Sequence, residues 1–356
     1  MSTKIPCALV MAGGTGGHIF PGLAVAKALR DKGWRVHWLG APNSMESRLV
    51  PPQGFTLETV DFSGVRGKGV KTLLMLPIRL LRAFTQSVQV LQRVRPDVVI
   101  GLGGYISLPG GLMAVAMGKP LVLHEQNSIA GLSNKVLARL AKRVFAAFPG
   151  TMAQAQWVGN PLRSEFLLQA QPQVRFAGRS GPLRVLVVGG SLGARALNTV
   201  VPQALALIPA AARPVVIHQS GEKQLEELRA NYANAGVEAE LTPFIDNTAE
   251  AFAAADLVIC RAGASTVTEL AAVGAAALFV PFPSAVDDHQ THNARFLVAQ
   301  GAGQLMPQPE FTPEVLAHML QTTERSVLVQ WALQAKTLEK TAATTAVVAA
   351  CEELAL

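Results

Sequence analysis

Two glycine-rich turns in this sequence can do backbone chemistry on an anion. In the first, the apolar run Ala8–Ala12 enters Gly13-Gly14-Thr15-Gly16-Gly17-His18. In the second, Val185–Val188 enters Gly189-Gly190-Ser191-Leu192-Gly193-Ala194-Arg195. Glycine lets the backbone approach a ligand closely and tolerates positive φ. A helix starting behind such a turn offers unpaired N–H groups and the positive end of its dipole to a negative group. The first turn fits no standard nucleotide motif. Ile19 stands where a dinucleotide fingerprint needs its third glycine, and Arg35–Leu39 runs into Gly40-Ala41 without an acid to hold a ribose. The Gly-Lys-Ser/Thr ending of a P-loop is also missing.

Several polar clusters sit beside apolar runs. His18 falls in the first turn of the helix expected after the glycines, where it can serve as a base or as a structural partner. His124-Glu125-Gln126-Asn127 follows the run Leu121–Leu123, and polar residues at the carboxyl end of a buried strand point to substrate rather than core. Thr266-Val267-Thr268-Glu269 reads as a capping box, in which Glu269 only ties down its own helix start. The competing reading has Glu269 accept both hydroxyls of a ribose while Ala264–Thr268 offer N–H groups to a diphosphate. Asp287–Asn293 mixes carboxylates and imidazoles but lacks a His-x-x-x-His pair, and the chain contains no Asp-x-Asp, so hydrogen bonding to sugar hydroxyls is favoured over a metal. From Lys68 to Arg82, Leu73, Leu74, Met75, Leu76, Ile78, Leu80 and Leu81 alternate with Lys68, Lys71, Arg79 and Arg82. A core helix would explain many of these leucines, but leucines flanked by cations also suit an interfacial patch on anionic lipid, the reading preferred here.

The elements that must position these groups are legible as a pattern. Short apolar runs such as Val98–Ile100, Leu121–Leu123 and Leu257–Ile259 alternate with helix-length stretches, the mark of an α/β fold with parallel sheets covered on both faces. Pro96–Tyr105 resembles Ala255–Ala264, and each is followed by a glycine (Gly118, Gly274) and another buried strand. Two doubly wound halves are expected, with ligands at the carboxyl ends of the strands. At 356 residues the length also favours two domains. The boundary is expected between Phe148 and Pro182, where prolines and glycines interrupt the pattern. The last helix-like stretch, Val327–Leu356, could pack on either half.

Composition narrows the partners. Half the residues are hydrophobic and 15% are charged, as in a well-packed globular protein. The 6% aromatic content argues against stacked-ring recognition of carbohydrate or single-stranded nucleic acid. The net charge of +7 comes without a dense Lys/Arg run, so an anionic small substrate or membrane surface is expected and nucleic acid is not. Cys7, Cys260 and Cys351 form no metal spacing and fit reduced thiols in a cytoplasm. The N-terminal run is short and ends in glycines, unlike an export signal, and no stretch has the ~20 apolar residues needed to cross a bilayer.

Taken together, Gly13–His18, Gly103-Gly104-Tyr105, His124–Asn127, Gly159-Asn160-Pro161-Leu162-Arg163, Gly189–Ala194 and Gly263–Glu269 resemble the MurG family, the bacterial transferases that add N-acetylglucosamine to lipid I. The resemblance covers essentially the whole chain, with the motifs in the same order. It implies a GT-B fold of two doubly wound, Rossmann-like domains with the active site between them. Residues 1–160 would bind the acceptor and associate with the membrane, and 161–356 would bind the donor, with a C-terminal helix able to pack back on the first domain. The implied reaction is an inverting transfer from UDP-N-acetylglucosamine to the C4 hydroxyl of the muramoyl-pentapeptide sugar of lipid I, giving lipid II. By motif position, Arg163, Ser191 and Ile245 would surround the nucleotide. Ala264, Ser265, Thr266, Val267 and Thr268 would meet its diphosphate, Glu269 the ribose and Gln290 the donor sugar. Asn127 would face the cleft on the donor's side. Thr15, Gly16 and Gly17, with Tyr105 nearby, would receive the acceptor's diphosphate.

On this reading His18 is the preferred base and Glu125 the second candidate, because the attacking hydroxyl must lose its proton. Helix N-termini and backbone amides would stabilise the leaving UDP, with no metal and no cofactor. The implied location is peripheral, on the cytoplasmic face of the inner membrane, with an anionic surface met through Lys68–Arg82 and cell-wall synthesis proteins as partners. Two other readings stay open at this point. One is another GT-B transferase or an epimerase using a UDP-sugar; the other is a catalytically idle nucleotide-sugar sensor or scaffold.

Overall fold

A computed structural model describes residues 4–62, 64, 75–190 and 193–355. The chain divides into two compact units, Met1–Arg163 with Thr341–Leu356, and Ser164–Lys340. The division thus falls after Arg163. The stretch Val327–Leu356, expected as one element, splits: the helix Arg325–Thr337 stays in the second unit and the helix Ala343–Leu354 returns to the first.

The first unit is built on seven parallel strands, β1 (Cys7–Met11), β2 (Arg35–Gly40), β3 (Thr56–Thr59), β4 (Val98–Gly101), β5 (Leu121–Glu125), β6 (Arg143–Ala146) and β7 (Gln156–Trp157), in the order β3-β2-β1-β4-β5-β6-β7. Alternate residues of one strand feed two cores. Ala8, Val10 and Ala12 pack with Ile19 and Leu29 of the helix Gly16–Asp31 and with Val347 and Cys351 of the returning C-terminal helix. Cys7, Leu9 and Met11 pack on the other face with Val90 and Leu91 of the helix Leu76–Val94. Burial on both faces explains the uninterrupted apolar runs. The C-terminal helix is held by this apolar face; its ion pairs Lys32–Glu352 (2.7 Å) and Arg143–Glu353 are surface contacts that add little.

The second unit repeats the plan with β8 (Arg184–Val188), β9 (Val215–Gln219), β10 (Glu240–Thr242), β11 (Leu257–Cys260), β12 (Ala277–Phe279) and β13 (Gln304–Leu305), all parallel, in the order β10-β9-β8-β11-β12-β13. In each sheet the order reverses at one place, between β1 and β4 and between β8 and β11. At such a switch point the connections leave in opposite directions and open a crevice at the strands' carboxyl ends. Both glycine turns lie there, after β1 and after β8.

The turn after β4 meets the turn after β1 backbone to backbone. Gly104 has φ +83°, and a Cβ there would collide with the Gly13 carbonyl. Gly104→Ala is therefore expected to destabilise the first unit by at least the ~1–3 kcal/mol of a strained backbone. Urea unfolding with a wild-type midpoint would show the contact to be dispensable.

Candidate active site

Three turns of the first unit converge on His18. The first runs from β1 through Gly14 (φ +89°), whose N–H donates to Glu46 Oε2 at 3.1 Å. Glu46 is buried, and its Oε1 accepts from Ala41 N at 3.0 Å, tying the turn after β2 to the turn after β1. The helix Gly16–Asp31 then starts at Thr15, which caps it without a side-chain bond, and its first turn contains no acid. His18 is its third residue and half-buried.

The second turn follows β4. Gly103 (φ +95°) lies so close that a Cβ on it would sit 2.8 Å from Cε1 and Nδ1 of His18. Ser107, buried behind it, donates to Met11 O (3.1 Å) and Gly103 O (2.8 Å), so one hydroxyl ties β1 to this turn. The Tyr105 ring lies against Gly14 and is 44% exposed.

The third turn follows β5, and here the structure corrects an expectation. His124, Glu125 and Gln126 do not face solvent; all three are almost fully buried. They are core because each polar atom finds an internal partner. Glu125 Oε1 accepts from Asn127 N (2.9 Å) and Asn127 Nδ2 (3.3 Å), and Oε2 from Gly131 N (3.1 Å) and Asn134 Nδ2 (2.8 Å). Four donors fill the roughly four acceptor sites of a carboxylate. Glu125 anchors its own loop and keeps Asn127, half-buried, at the rim. Gln126 Oε1 meets His18 Nδ1 at 2.8 Å, and His124 Nε2 meets Gly159 O at 2.8 Å. Burial lowers the His124 pKa to about 4, against a modest opposing pull from that carbonyl.

The second unit places its candidates around the β8/β11 switch. Gly190 N donates to Gln219 Oε1 (3.1 Å), and Gln219 Nε2 returns to Gly190 O (3.1 Å) and reaches Pro243 O (2.9 Å). Ser191 lies outside the described residues. Gly193 (φ +75°) packs so tightly that a Cβ would collide with the Ser220 carbonyl. Asn198, on the following helix, donates to Ser220 O (3.2 Å) and Gln224 Oε1 (2.9 Å) and accepts from His218 Nε2 (3.1 Å). Burial pushes His218 down to about 3.

The helix Ala264–Val273 follows β11 and starts at Gly263 without a side-chain cap or an acid in its first turn. This overturns the capping box: Thr266 is the third helical residue and not the cap, because the helix begins before the apolar residues do. Ser265 Oγ is buried without a hydrogen-bond partner. Val267 N is already bonded to Gly263 O (3.0 Å), and the Thr268 hydroxyl turns back on Ala264 O and Ser265 O (3.0 Å each). The open donors are therefore those of Ala264, Ser265 and Thr266. Glu269 follows on the same helix, half-buried. Ile245, in the turn after β10, is half-buried. Gln290, on the helix His289–Val298, accepts from Phe282 N (2.9 Å) and closes a loop in which Asp287 and Asp288 both take positive φ. Arg163 belongs to the first unit, its guanidinium 6.0 Å from the Phe20 ring centre. Among the described residues no group of three or more His, Cys, Asp or Glu could hold a metal ion.

Comparison with known proteins then decides the family. Residues 8–146 match the Glycosyltransferase family 28 N-terminal domain and 184–348 its C-terminal domain. The chain is 72% identical over 354 residues to the UDP-N-acetylglucosamine--N-acetylmuramyl-(pentapeptide) pyrophosphoryl-undecaprenol N-acetylglucosamine transferase of Polaromonas naphthalenivorans (strain CJ2), covering 98% of both chains. It is 62% identical to the enzyme of that name from Ralstonia nicotianae (strain ATCC BAA-1114 / GMI1000), over 92% of this chain and 91% of the other. The crystal structure of Acinetobacter baumannii MurG superposes with a TM-score of 0.86 at 41% identity, covering 98% of this chain and 99% of that one. The chain belongs to the MurG family.

This MurG-family chain is a glycosyltransferase with the GT-B fold. The calicheamicin glycosyltransferase CalG4 shares that fold at 14% identity, with a TM-score of 0.68 over 99% of this chain and 98% of its own. Glu46, Gln219 and Arg261 escaped the sequence reading. Arg261, after β11, donates to Val280 O (2.9 Å), Pro281 O (3.1 Å) and Gln308 Oε1 (2.7 Å), fixing the end of β12. Glu46 and Gln219 lie far in sequence from the turns they hold, so no local pattern marks them.

The two buried histidines give this MurG-family chain an acid sensitivity. Their pKa values lie below 6.5 in the folded protein, so below about pH 6.5 the unfolded chain binds more protons. Stability is complete above that pH and falls as pH drops, by about 1.4 kcal/mol per unit for each histidine, until pH 4 for His124 and pH 3 for His218. Thermal melts from pH 7 to 4 should show this loss. His218→Gln should flatten the slope of the second unit; an unchanged slope would assign the loss to other groups.

Proposed function

We propose that the chain transfers N-acetylglucosamine from UDP-N-acetylglucosamine to the C4 hydroxyl of the muramoyl sugar of lipid I, with inversion, to give lipid II. The observation that carries the residue assignment is the uncapped helix start at Thr15, with His18 in its first turn and fastened through Nδ1. An anion seat and a base stand there on one rigid element.

The second unit holds the donor. The N–H groups of Ala264, Ser265 and Thr266 and the unpaired Ser265 hydroxyl receive its diphosphate, where the leaving UDP gathers charge. Val267 and Thr268 build that helix start. Glu269, on the same helix beyond its first turn, takes the ribose hydroxyls. Ser191 and Ile245 line the nucleotide side and Gln290 the sugar. By motif position Arg163 and Asn127 are assigned to the donor as well. The first unit takes the acceptor's diphosphate at Thr15, Gly16 and Gly17 with Tyr105 beside it. Gly14 is spoken for by Glu46.

As the C4 oxygen attacks the anomeric carbon, His18 removes its proton, the C–O bond to UDP breaks on the opposite face, and the configuration inverts. Glu125, with both oxygens saturated, positions the loop that carries Asn127 rather than acting as base. The acceptor is a lipid, and among the described residues no helix is long and apolar enough to cross a membrane. Part of the Lys68–Arg82 patch, residues 68–74, lies outside the described residues. In the rest, Met75, Ile78 and Leu81 are exposed at 50–65%, beside Arg79 and Arg82. That face suits peripheral docking on an anionic bilayer at the cytoplasmic side.

Labelled UDP-N-acetylglucosamine incubated with a lipid I analogue, with other nucleotide sugars in parallel, tests the reaction. His18→Ala should lower kcat by about 10²–10⁴-fold and leave UDP binding near wild type; retained turnover removes His18 from the base's role. Ile78→Glu with Leu81→Glu should weaken binding to phosphatidylglycerol vesicles by roughly tenfold or more while sparing turnover of a short-chain acceptor. Unchanged vesicle binding would place the docking face elsewhere.

A further inference from the structure

We infer that Gln126 is a positioning residue for the base: its carboxamide holds His18 as the Nδ1–H tautomer and leaves Nε2 to take the acceptor's proton. This rests on the reading of His18 as base.

The protons can be placed one at a time from two backbone carbonyls, which only accept. Gly159 O lies 2.8 Å from His124 Nε2, so that nitrogen carries the hydrogen. His124 is fully buried, and burial that lowers its pKa to about 4 keeps the ring neutral, so Nδ1 is a lone pair. Gln126 Nε2 sits 3.0 Å from that lone pair and 3.2 Å from His124 O. Two acceptors therefore face one end of the carboxamide, and only its NH2 group satisfies both. With the amide turned over, its oxygen would face a lone pair and a carbonyl oxygen in a buried site, with the penalties of unmade bonds at each. The oxygen of Gln126 is thereby directed at His18, 2.8 Å from Nδ1. An acceptor at that distance requires the hydrogen on Nδ1, and the neutral imidazole then has its lone pair on Nε2.

The geometry around the pair supports the same assignment. A Cβ at Gly103 would lie 2.8 Å from Cε1 and Nδ1 of His18 and 3.3 Å from Gln126 Oε1. The hydrogen bond thus passes under a position where no side chain fits, and the ring has little room to turn over. When Nε2 accepts the proton, the imidazolium still donates from Nδ1 to Oε1, and a hydrogen bond from a charged donor is stronger than a neutral one. The carboxamide does the orienting work that a carboxylate does in a hydrolase triad, without burying a charge.

The direct test uses the wild-type chain labelled with 15N-histidine, in which seven imidazoles are read by long-range proton–nitrogen correlation. Loss of one set of signals in His18→Ala assigns His18. The expected result is Nδ1–H at His18 and Nε2–H at the buried His124; Nε2–H or an averaged pair at His18 overturns the proposal. Gln126→Met, close in shape but without hydrogen bonds, should lower kcat about tenfold or more with the KM for UDP-N-acetylglucosamine unchanged. Gln126→Glu keeps an acceptor for Nδ1 but sets its second oxygen against the His124 lone pair and carbonyl, so it should recover only part of kcat and move the acidic limb of the kcat profile to higher pH. Wild-type kcat in Gln126→Met, or equal losses in both variants with no shift of the limb, also overturns it. Failure of the base reading is distinguishable: His18→Ala would then turn over while the tautomer stood as assigned.

Discussion

The chemistry of the first unit depends on two missing atoms, the Cβ groups at Gly103 and Gly104. With them the turn after β4 would strike the His18 ring and the Gly13 carbonyl. Without them three turns close on one another at the switch point, and the His18–Gln126 bond fits in the space that remains. Positive φ at both glycines lets the backbone make this close approach.

The second unit meets the same demand with different electrostatics. Each glycine turn after the first strand of its sheet is held by a side chain reaching one turn N–H, Glu46 under Gly14 and Gln219 under Gly190. Glu46 is a buried carboxylate at a place where Gly40 leaves room for its side chain. Gln219 is a neutral carboxamide that both accepts from and donates to Gly190. Each support takes one turn N–H, but the first does so with a carboxyl group and the second with a carboxamide. Two turns of similar sequence therefore differ in what they can hold, and the difference lies in residues outside the turns.

The fold was largely legible because parallel strands buried on both faces read as near-continuous apolar runs, and because both switch points are marked by glycine. What stayed hidden is mostly long-range. His124, Glu125 and Gln126 read as facing a ligand, since the carboxyl end of a strand normally does; the loop that covers them and the Gly159 carbonyl that pairs with His124 lie outside the motif. Glu46 contacts a turn 32 residues away. Thr266–Glu269 mimics a capping box because polar and acidic residues have the right spacing, yet the glycine three positions earlier ends the strand connection and starts the helix. The split of Val327–Leu356 leaves no trace either, because no glycine or proline separates Thr337 from Ala343.

Buried polar chains are costly when incomplete and specific when complete. The chain from Gly159 O through His124 and Gln126 to His18 is complete at its buried end, where burial keeps His124 neutral. Its direction is not free: two carbonyls fixed by the backbone at Gly159 and His124 decide which atom of each side chain carries hydrogen. The backbone of the fold thus reaches the His18 ring through hydrogen-bond polarity rather than through charge. A carboxylate in the place of Gln126 would bind the imidazolium more tightly, but it would have to be buried unpaired whenever His18 is neutral. The carboxamide oxygen can accept from Nδ1–H whether the ring is neutral or protonated, as the proposed role of His18 requires.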